Sequence, residues 1–137
     1  MKRYTVAVCV DDNGGMTFNG RRQSRDRVLL RELCETARGP VYVSPFSAKA
    51  FPEDCPVTVL DDPFVGAPDG AVLFIESLPL KPHLTDIDAL IIYRWNRSYP
   101  RDTYLDLDPV AEGFSLISSM DFVGSSHEKI TKEIYKK

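Results

Sequence analysis

The stretch YTVAVCVDDNGGMTFNGRRQSRDRVLLRELCETARGPVYV, Tyr4 to Val43, decides how this chain is read. It opens on Tyr4–Val10, rich in β-branched residues and closed by Asp-Asp-Asn-Gly-Gly, the pattern of a buried central strand. Asp11–Gln23 then reads as a loop, with turn pairs at Asn13-Gly14 and Asn19-Gly20. A loop of that length is long for a compact domain and is commonly functional. A helix is expected from Ser24 to about Arg38. Ser24 offers a cap for the first turn, Asp26 suits its positive end, and Val28, Leu29, Leu33 and Ala37 recur at helical spacing. Arg38-Gly39-Pro40 ends it, and Val41–Val43 follows as a second strand.

Outward from there the chain is strand-rich. Val57–Leu60, Ala71–Ile75 and Ala89–Arg94 read as strands, Phe46–Phe51 as a short helical piece, and Glu76–Asp86 as irregular. Thr103–Leu107 alternates weakly. Phe114–Ser118 and Lys129–Tyr135 alternate clearly and are expected to close the sheet as an antiparallel pair. Strand–helix–strand early and strands late imply an α/β fold, a mixed sheet with a parallel first half.

With 137 residues, residues 1–137 are expected to form a single domain with its own core. The net charge of −3 argues against extended nucleic-acid contact, so any basic function has to come from local clusters. Cys9, Cys34 and Cys55 are an odd number with no metal-ligand spacing, so no metal site is expected and a reducing, cytoplasmic setting is. No run approaches the ~20 apolar residues of a membrane span, and Val6–Val10 is too short for a signal peptide.

Three places resemble the dihydrofolate reductases. AVCVDDNGGM (Ala7–Met16) is similar to the family's first strand and its mobile glycine-bearing loop. The helix after Ser24 with GPVYVS (Gly39–Ser44) resembles its first helix and second strand. IDALIIYRWNRSYPRDTYLDLD, GFSLISSMDF and HEKITKEIYKK resemble its last strands in order and spacing. The resemblance implies a dihydrofolate reductase-like mixed central sheet, reduced in size, with one main helix and an antiparallel C-terminal hairpin. It also implies a ligand cleft under the 11–27 loop, with Thr103 beside it.

The departures bear on chemistry. The family's acid in the first helix would fall near Val28. Asp26, the nearest acid, lies two residues earlier, about 200° around a helix. Ser44-Pro45 replaces the family's glycine–arginine pair at the cofactor phosphate. Glu76-Ser77-Leu78-Pro79 stands where a diglycine turn grips the nicotinamide cofactor. NADPH therefore lacks its usual motifs here, and the cofactor is left unassigned.

Two arginine sets are candidate sites. Arg21, Arg22, Arg25 and Arg27, with Arg31 a turn on, cluster at a helix start, where outward N–H groups favour an anion. Tyr93–Arg101 interleaves Arg94, Arg97 and Arg101 with Tyr93, Trp95 and Tyr99, a pattern suited to stacking bases and holding phosphates. The bland readings are a solvated helix face and an ordinary half-buried strand. His127 is set aside as a catalytic residue, because Ser125, Ser126 and Glu128 beside it point apart and no nucleophile elbow is present.

The expectation is a divergent reductase-like protein without the family's ordinary reaction, binding a small anionic or heteroaromatic ligand through Arg21, Arg22, Arg25, Arg27 and Thr103. One alternative is an NADPH-dependent reductase of altered substrate, with Asp26 or Asp12 as acid. Another is an RNA-binding or RNA-processing protein using both arginine sets. A homodimer through an exposed sheet edge is a further expectation.

Overall fold

A computed structural model describes residues 2–137. Among the described residues ten strands and three helices appear in chain order. They are β1 (Tyr4–Val10), β2 (Gly15–Phe18), β3 (Arg21–Arg22), α1 (Arg27–Ala37), β4 (Val41–Val43), α2 (Pro45–Ala48), β5 (Val57–Val59), α3 (Pro63–Gly66), β6 (Val72–Phe74), β7 (Ile87–Arg94), β8 (Thr103–Tyr104), β9 (Ser115–Phe122) and β10 (Ile130–Lys136), with a 3₁₀ turn at Lys81–Asp86 before β7. Among the described residues no helix is long and apolar enough to cross a membrane.

The main sheet runs β5-β4-β6-β1-β7-β10-β9. Its first five strands are parallel, and β10 and β9 close it antiparallel. β1 sits in the middle and is apolar on both faces, as expected of a strand covered from both sides. Tyr4, Val6, Val8 and Val10 face one core with Leu73, Leu90, Ile92 and Phe114. Ala7 faces the other, where Leu29, Leu30 and Leu33 of α1 pack with Ile91, Tyr93 and Trp95. Among the described residues α1 is the one long helix, joined by the single-turn α2 and α3. The mixed α/β architecture with its antiparallel C-terminal strands is thus as the sequence implies.

Two boundaries differ in ways that matter for the site. The 11–23 segment is not structureless. β2 and β3 form a hairpin around Asn19 (φ 52°) and Gly20 (φ 73°), a two-residue turn with both residues left-handed. β8 adds to β2 as a third strand, so a small sheet lies over the carboxyl ends of the parallel strands. The helix starts at Arg27, not Ser24, because Asp26 takes the cap: its carboxylate accepts the N–H groups of Val28 and Leu29. Ser24 is thereby released from capping. At the far end Arg38 (φ 54°) turns left-handed and donates its N–H to the Cys34 carbonyl.

Candidate functional site

In open sheets of parallel strands, ligands settle outside the carboxyl ends. Here the ends of β1, β6 and β7, the start of α1 and the β2–β3 hairpin enclose a cleft at that edge. It is lined by Cys9, Met16, Leu29, Leu30, Phe74 and Trp95 on its apolar side and by Arg22, Gln23, Ser24, Arg25, Asp26 and Glu76 on its polar side. Its enclosed volume is about 20 Å³, room for about one ordered water.

A charged pair closes it. Arg22 grips Glu76 with both ends of its fork, Nε to Oε2 at 2.9 Å and Nη2 to Oε1 at 3.1 Å. Nη2 also donates to the Phe46 carbonyl at 2.9 Å, and the guanidinium lies 5.0 Å over the Phe46 ring. The Glu76 side chain is 9% exposed and that of Arg22 27%, so the carboxylate is the buried partner. Cys9 forms part of the wall. Burial, then the charges of Glu76 and Asp26, push its thiol well above the usual range, which leaves it a poor nucleophile at neutral pH.

Two buried carboxylates anchor the surroundings. Asp11, at the end of β1, accepts from the N–H groups of Asn13, Gly15 and Tyr99 at 2.9, 2.8 and 3.2 Å and pairs with Arg101 at 3.5 Å. Burial opposes its charge, but these donors outweigh burial and hold it below the usual carboxylate range. Asp26, 1% exposed, is engaged more fully. Oδ1 accepts from Val28, Leu29 and Ser125 N–H; Oδ2 accepts from Ser126 N–H at 2.9 Å, the Ser126 hydroxyl at 3.2 Å and His127 Nδ1 at 3.0 Å. Burial again opposes the charge. The Ser126 and Ser125 amides, the His127 ring and the Leu29 amide prevail and hold Asp26 far below the usual range.

His127 connects this carboxylate to the cleft. Its ring lies flat against Trp95, centroids 4.5 Å apart, and meets the edge of Tyr99. Nδ1 donates its N–H to Asp26, and in that tautomer Nε2 is the acceptor. Nε2 faces the Tyr99 hydroxyl at 2.8 Å and the Ser24 hydroxyl at 3.1 Å. Ser24 lines the cleft.

The expected site residues scatter around this arrangement. Arg22 and Arg25 line the cleft, Arg25 with its Nε on the Ala50 carbonyl at 2.6 Å. Arg21 is exposed on the hairpin, and Arg27 points outward beside Ser125. The four do not form one anion cradle. Thr103 does not line the cleft; it pairs with Thr17, its hydroxyl bonds Asp102, and Trp95 fills the wall instead. As a proton donor Asp26 is ill-suited: a carboxyl with a depressed pKa and two saturated oxygens holds its charge. Asp12 is exposed, its N–H on the Arg97 carbonyl.

The second arginine set is also dispersed. Arg94 pairs with Glu133 at 2.7 Å, Arg101 turns in to Asp11, and Trp95 is buried against His127, so neither a stacking face nor a shared basic patch assembles; Arg97 remains exposed. Among the described residues, no group of three or more His, Cys, Asp or Glu side chains is placed to hold a metal ion. Sequence reasoning set His127 aside, used Ser24 only as a helix cap and did not place Glu76 in the site. Asp26 and Ser24 lie 101 and 103 residues from His127, and no local spacing signals them.

No protein-family model matches this chain, nor does any curated protein. In structure it is similar to a dihydrofolate reductase from Enterococcus faecalis complexed with NADP(H) and RAB-propyl. The TM-score is 0.68, covering 97% of this chain and 95% of that one, at 12% identity. The chain therefore has a dihydrofolate reductase-like fold.

Proposed function

We propose that this is a divergent member of the dihydrofolate reductase-like fold that binds a small anionic heteroaromatic ligand and does not carry out nicotinamide-dependent reduction. The carrying observation is the Arg22–Glu76 pair over an apolar cavity. A buried carboxylate beside Phe74 and Trp95 suits a ring bearing N–H donors. A guanidinium freed from it suits that ring's carboxylate or phosphate. A ligand offering both replaces each partner of the pair and leaves neither charge bare. Two features weigh against a dinucleotide. Ser44-Pro45 lacks the positive partner a phosphate needs, and Glu76 puts a negative charge where the resemblance places the diglycine turn.

Thermal-shift measurements with pterin-6-carboxylate, nucleoside monophosphates and NADPH test this. The expected result is a saturable rise in Tm with at least one heteroaromatic anion, lost in both Arg22→Ala and Glu76→Gln, and none with NADPH. Saturable NADPH binding with oxidation of the cofactor on a dihydropterin would overturn it.

A further inference from the structure

We propose that Ser24 is the nucleophile of an acyl-transfer centre in the same cleft, acting on short carboxylic esters or thioesters. The proposal rests on the ligand-binding reading above, since the acyl group has to enter that cleft. Ser24 and Asp26, two residues apart, meet the distant His127 in the order nucleophile, base, orienting carboxylate. Ser24 Oγ lies 3.1 Å from His127 Nε2, and His127 Nδ1 lies 3.0 Å from Asp26 Oδ2. This is the connectivity that activates a serine hydroxyl wherever it recurs, whatever the chain order.

The surroundings fit the roles. Asp26 stays ionised because six donors converge on it, so it fixes the His127 tautomer with Nε2 as acceptor. It is a positioning residue, as it touches only His127 and backbone or serine donors. Trp95 covers one face of the ring and keeps water from it. Arg25, its Nε tethered to the Ala50 carbonyl, is among the residues lining the cleft and is the positive charge next to Ser24 in the chain, available to a developing oxyanion. Tyr99 holds the shorter bond to Nε2 and also reaches Ser24 Oγ at 3.5 Å. In the closed cleft it thus competes with Ser24 for the base.

The reaction is closed in atoms and charge. Ser24 Oγ adds to the acyl carbon as its proton passes to His127 Nε2. The tetrahedral adduct collapses, the bond to the leaving oxygen or sulfur breaks, and Nε2 returns the proton to the departing alcohol or thiol. Water then adds to the acyl-serine carbon, giving a proton to Nε2. The Oγ–C bond breaks, and Oγ regains that proton. Ester and water become acid and alcohol, with no oxidant or reductant.

A fluorophosphonate probe on the intact protein, read by intact mass and peptide fragmentation, tests this. The expected result is a single adduct on Ser24, absent in Ser24→Ala, formed roughly a hundredfold more slowly in His127→Gln. Where the His127→Gln chain fails to fold, Tyr99→Phe decides: with Ser24 left alone on Nε2, labelling at Ser24 speeds up. An adduct on a different serine overturns the proposal. So does an unlabelled Ser24 in both the wild-type protein and Glu76→Gln, whose lid pair is broken. Heteroaromatic-anion binding without labelling removes the nucleophile alone. Labelling without such binding removes the ligand assignment alone.

Discussion

If Asp26 were only a helix cap, asparagine would replace it at almost no cost, since the two cap about equally well. The geometry demands otherwise. Each oxygen of Asp26 receives three donors: Val28, Leu29 and Ser125 N–H on Oδ1, and Ser126 N–H, the Ser126 hydroxyl and His127 Nδ1 on Oδ2. Whichever oxygen Asp26→Asn converts to an NH₂ then meets N–H groups head-on. The backbone amides of Ser125 and Ser126 lie near solvent and recover part of their loss through water. With the NH₂ on the Oδ1 side the buried Leu29 N–H recovers little; with it on the Oδ2 side His127 has to move its proton to Nε2. A buried donor left bare costs about 1–3 kcal/mol, so Asp26→Asn is expected to lose about 2–4 kcal/mol. Asp26→Ala loses about 1 kcal/mol more with the cap.

Urea unfolding followed by circular dichroism measures this. With m near 1–3 kcal/mol/M, the midpoint falls by roughly 1–2 M at unchanged slope. The pH dependence has a definite sign. Asp26 titrates lower in the folded than in the unfolded chain, so its charge stabilises fully above the unfolded value of ~3.9. That stabilisation is lost as pH falls from there toward the folded value. The gap between wild type and Asp26→Asn therefore narrows below about pH 4. An Asp26→Asn protein within ~0.5 kcal/mol of wild type at neutral pH, the level of an ordinary surface substitution, would refute the reasoning.

Gly15→Ala should destabilise by about 1–3 kcal/mol, seen as a lower urea midpoint, because its Cβ would sit 2.7 Å from Arg101 and from Gln23 Nε2. Lys132 is buried with Nζ 2.8 Å from both Glu32 and Thr36, and Tyr93 donates to the same carboxylate. Lys132→Ala removes the cation from that carboxylate, leaving it the Tyr93 and Thr36 hydroxyls, and is expected to cost about 1–3 kcal/mol in urea, whereas Lys132→Met with Glu32→Gln should recover part of it. β9 lies at the sheet edge with Leu116, Ile117 and Met120 exposed and Asp121 as its one charge. Pairing of this strand with a second copy predicts a dimer in sedimentation velocity that dissociates on dilution and is absent in Ile117→Lys, since edge lysines block strand addition.

β1 and β4 were legible to the residue, because β-branched apolar runs bounded by turn residues have little else to become. The hairpin was half legible. Asn19-Gly20 announced a turn, but β3 has only two residues and β2 is completed by β8, more than eighty positions on. A strand stabilised by so distant a partner has no local period to show. The helix start failed for a related reason. Ser24 and Asp26 both make good caps, and the choice was settled by Ser125, Ser126 and His127 arriving from the far end of the chain. The arginines misled because charge in sequence says nothing of pairing. Glu76, Glu133 and Asp11 each claim one of them.

The carboxyl edge is thus held by three charged clusters of unequal strength, and their inequality suggests where it opens. Asp11 and Asp26 are each fastened by several backbone N–H groups, so releasing either means breaking the turn or cap that supplies them. The Arg22–Glu76 contact between side chains needs no such change: a rotation about the Arg22 side chain undoes it while β2 and β3 stay paired. Moving Arg22 exposes Glu76 and the apolar wall together, which is costly in water and favourable only when something of matching charge and aromatic surface takes their place. Under the proposed function, the Arg22–Glu76 pair selects the ligand as well as excluding water. The donors on Asp26 come from backbone and a ring that the Arg22–Glu76 pair does not touch, so breaking that pair leaves the Asp26–His127 bond in place.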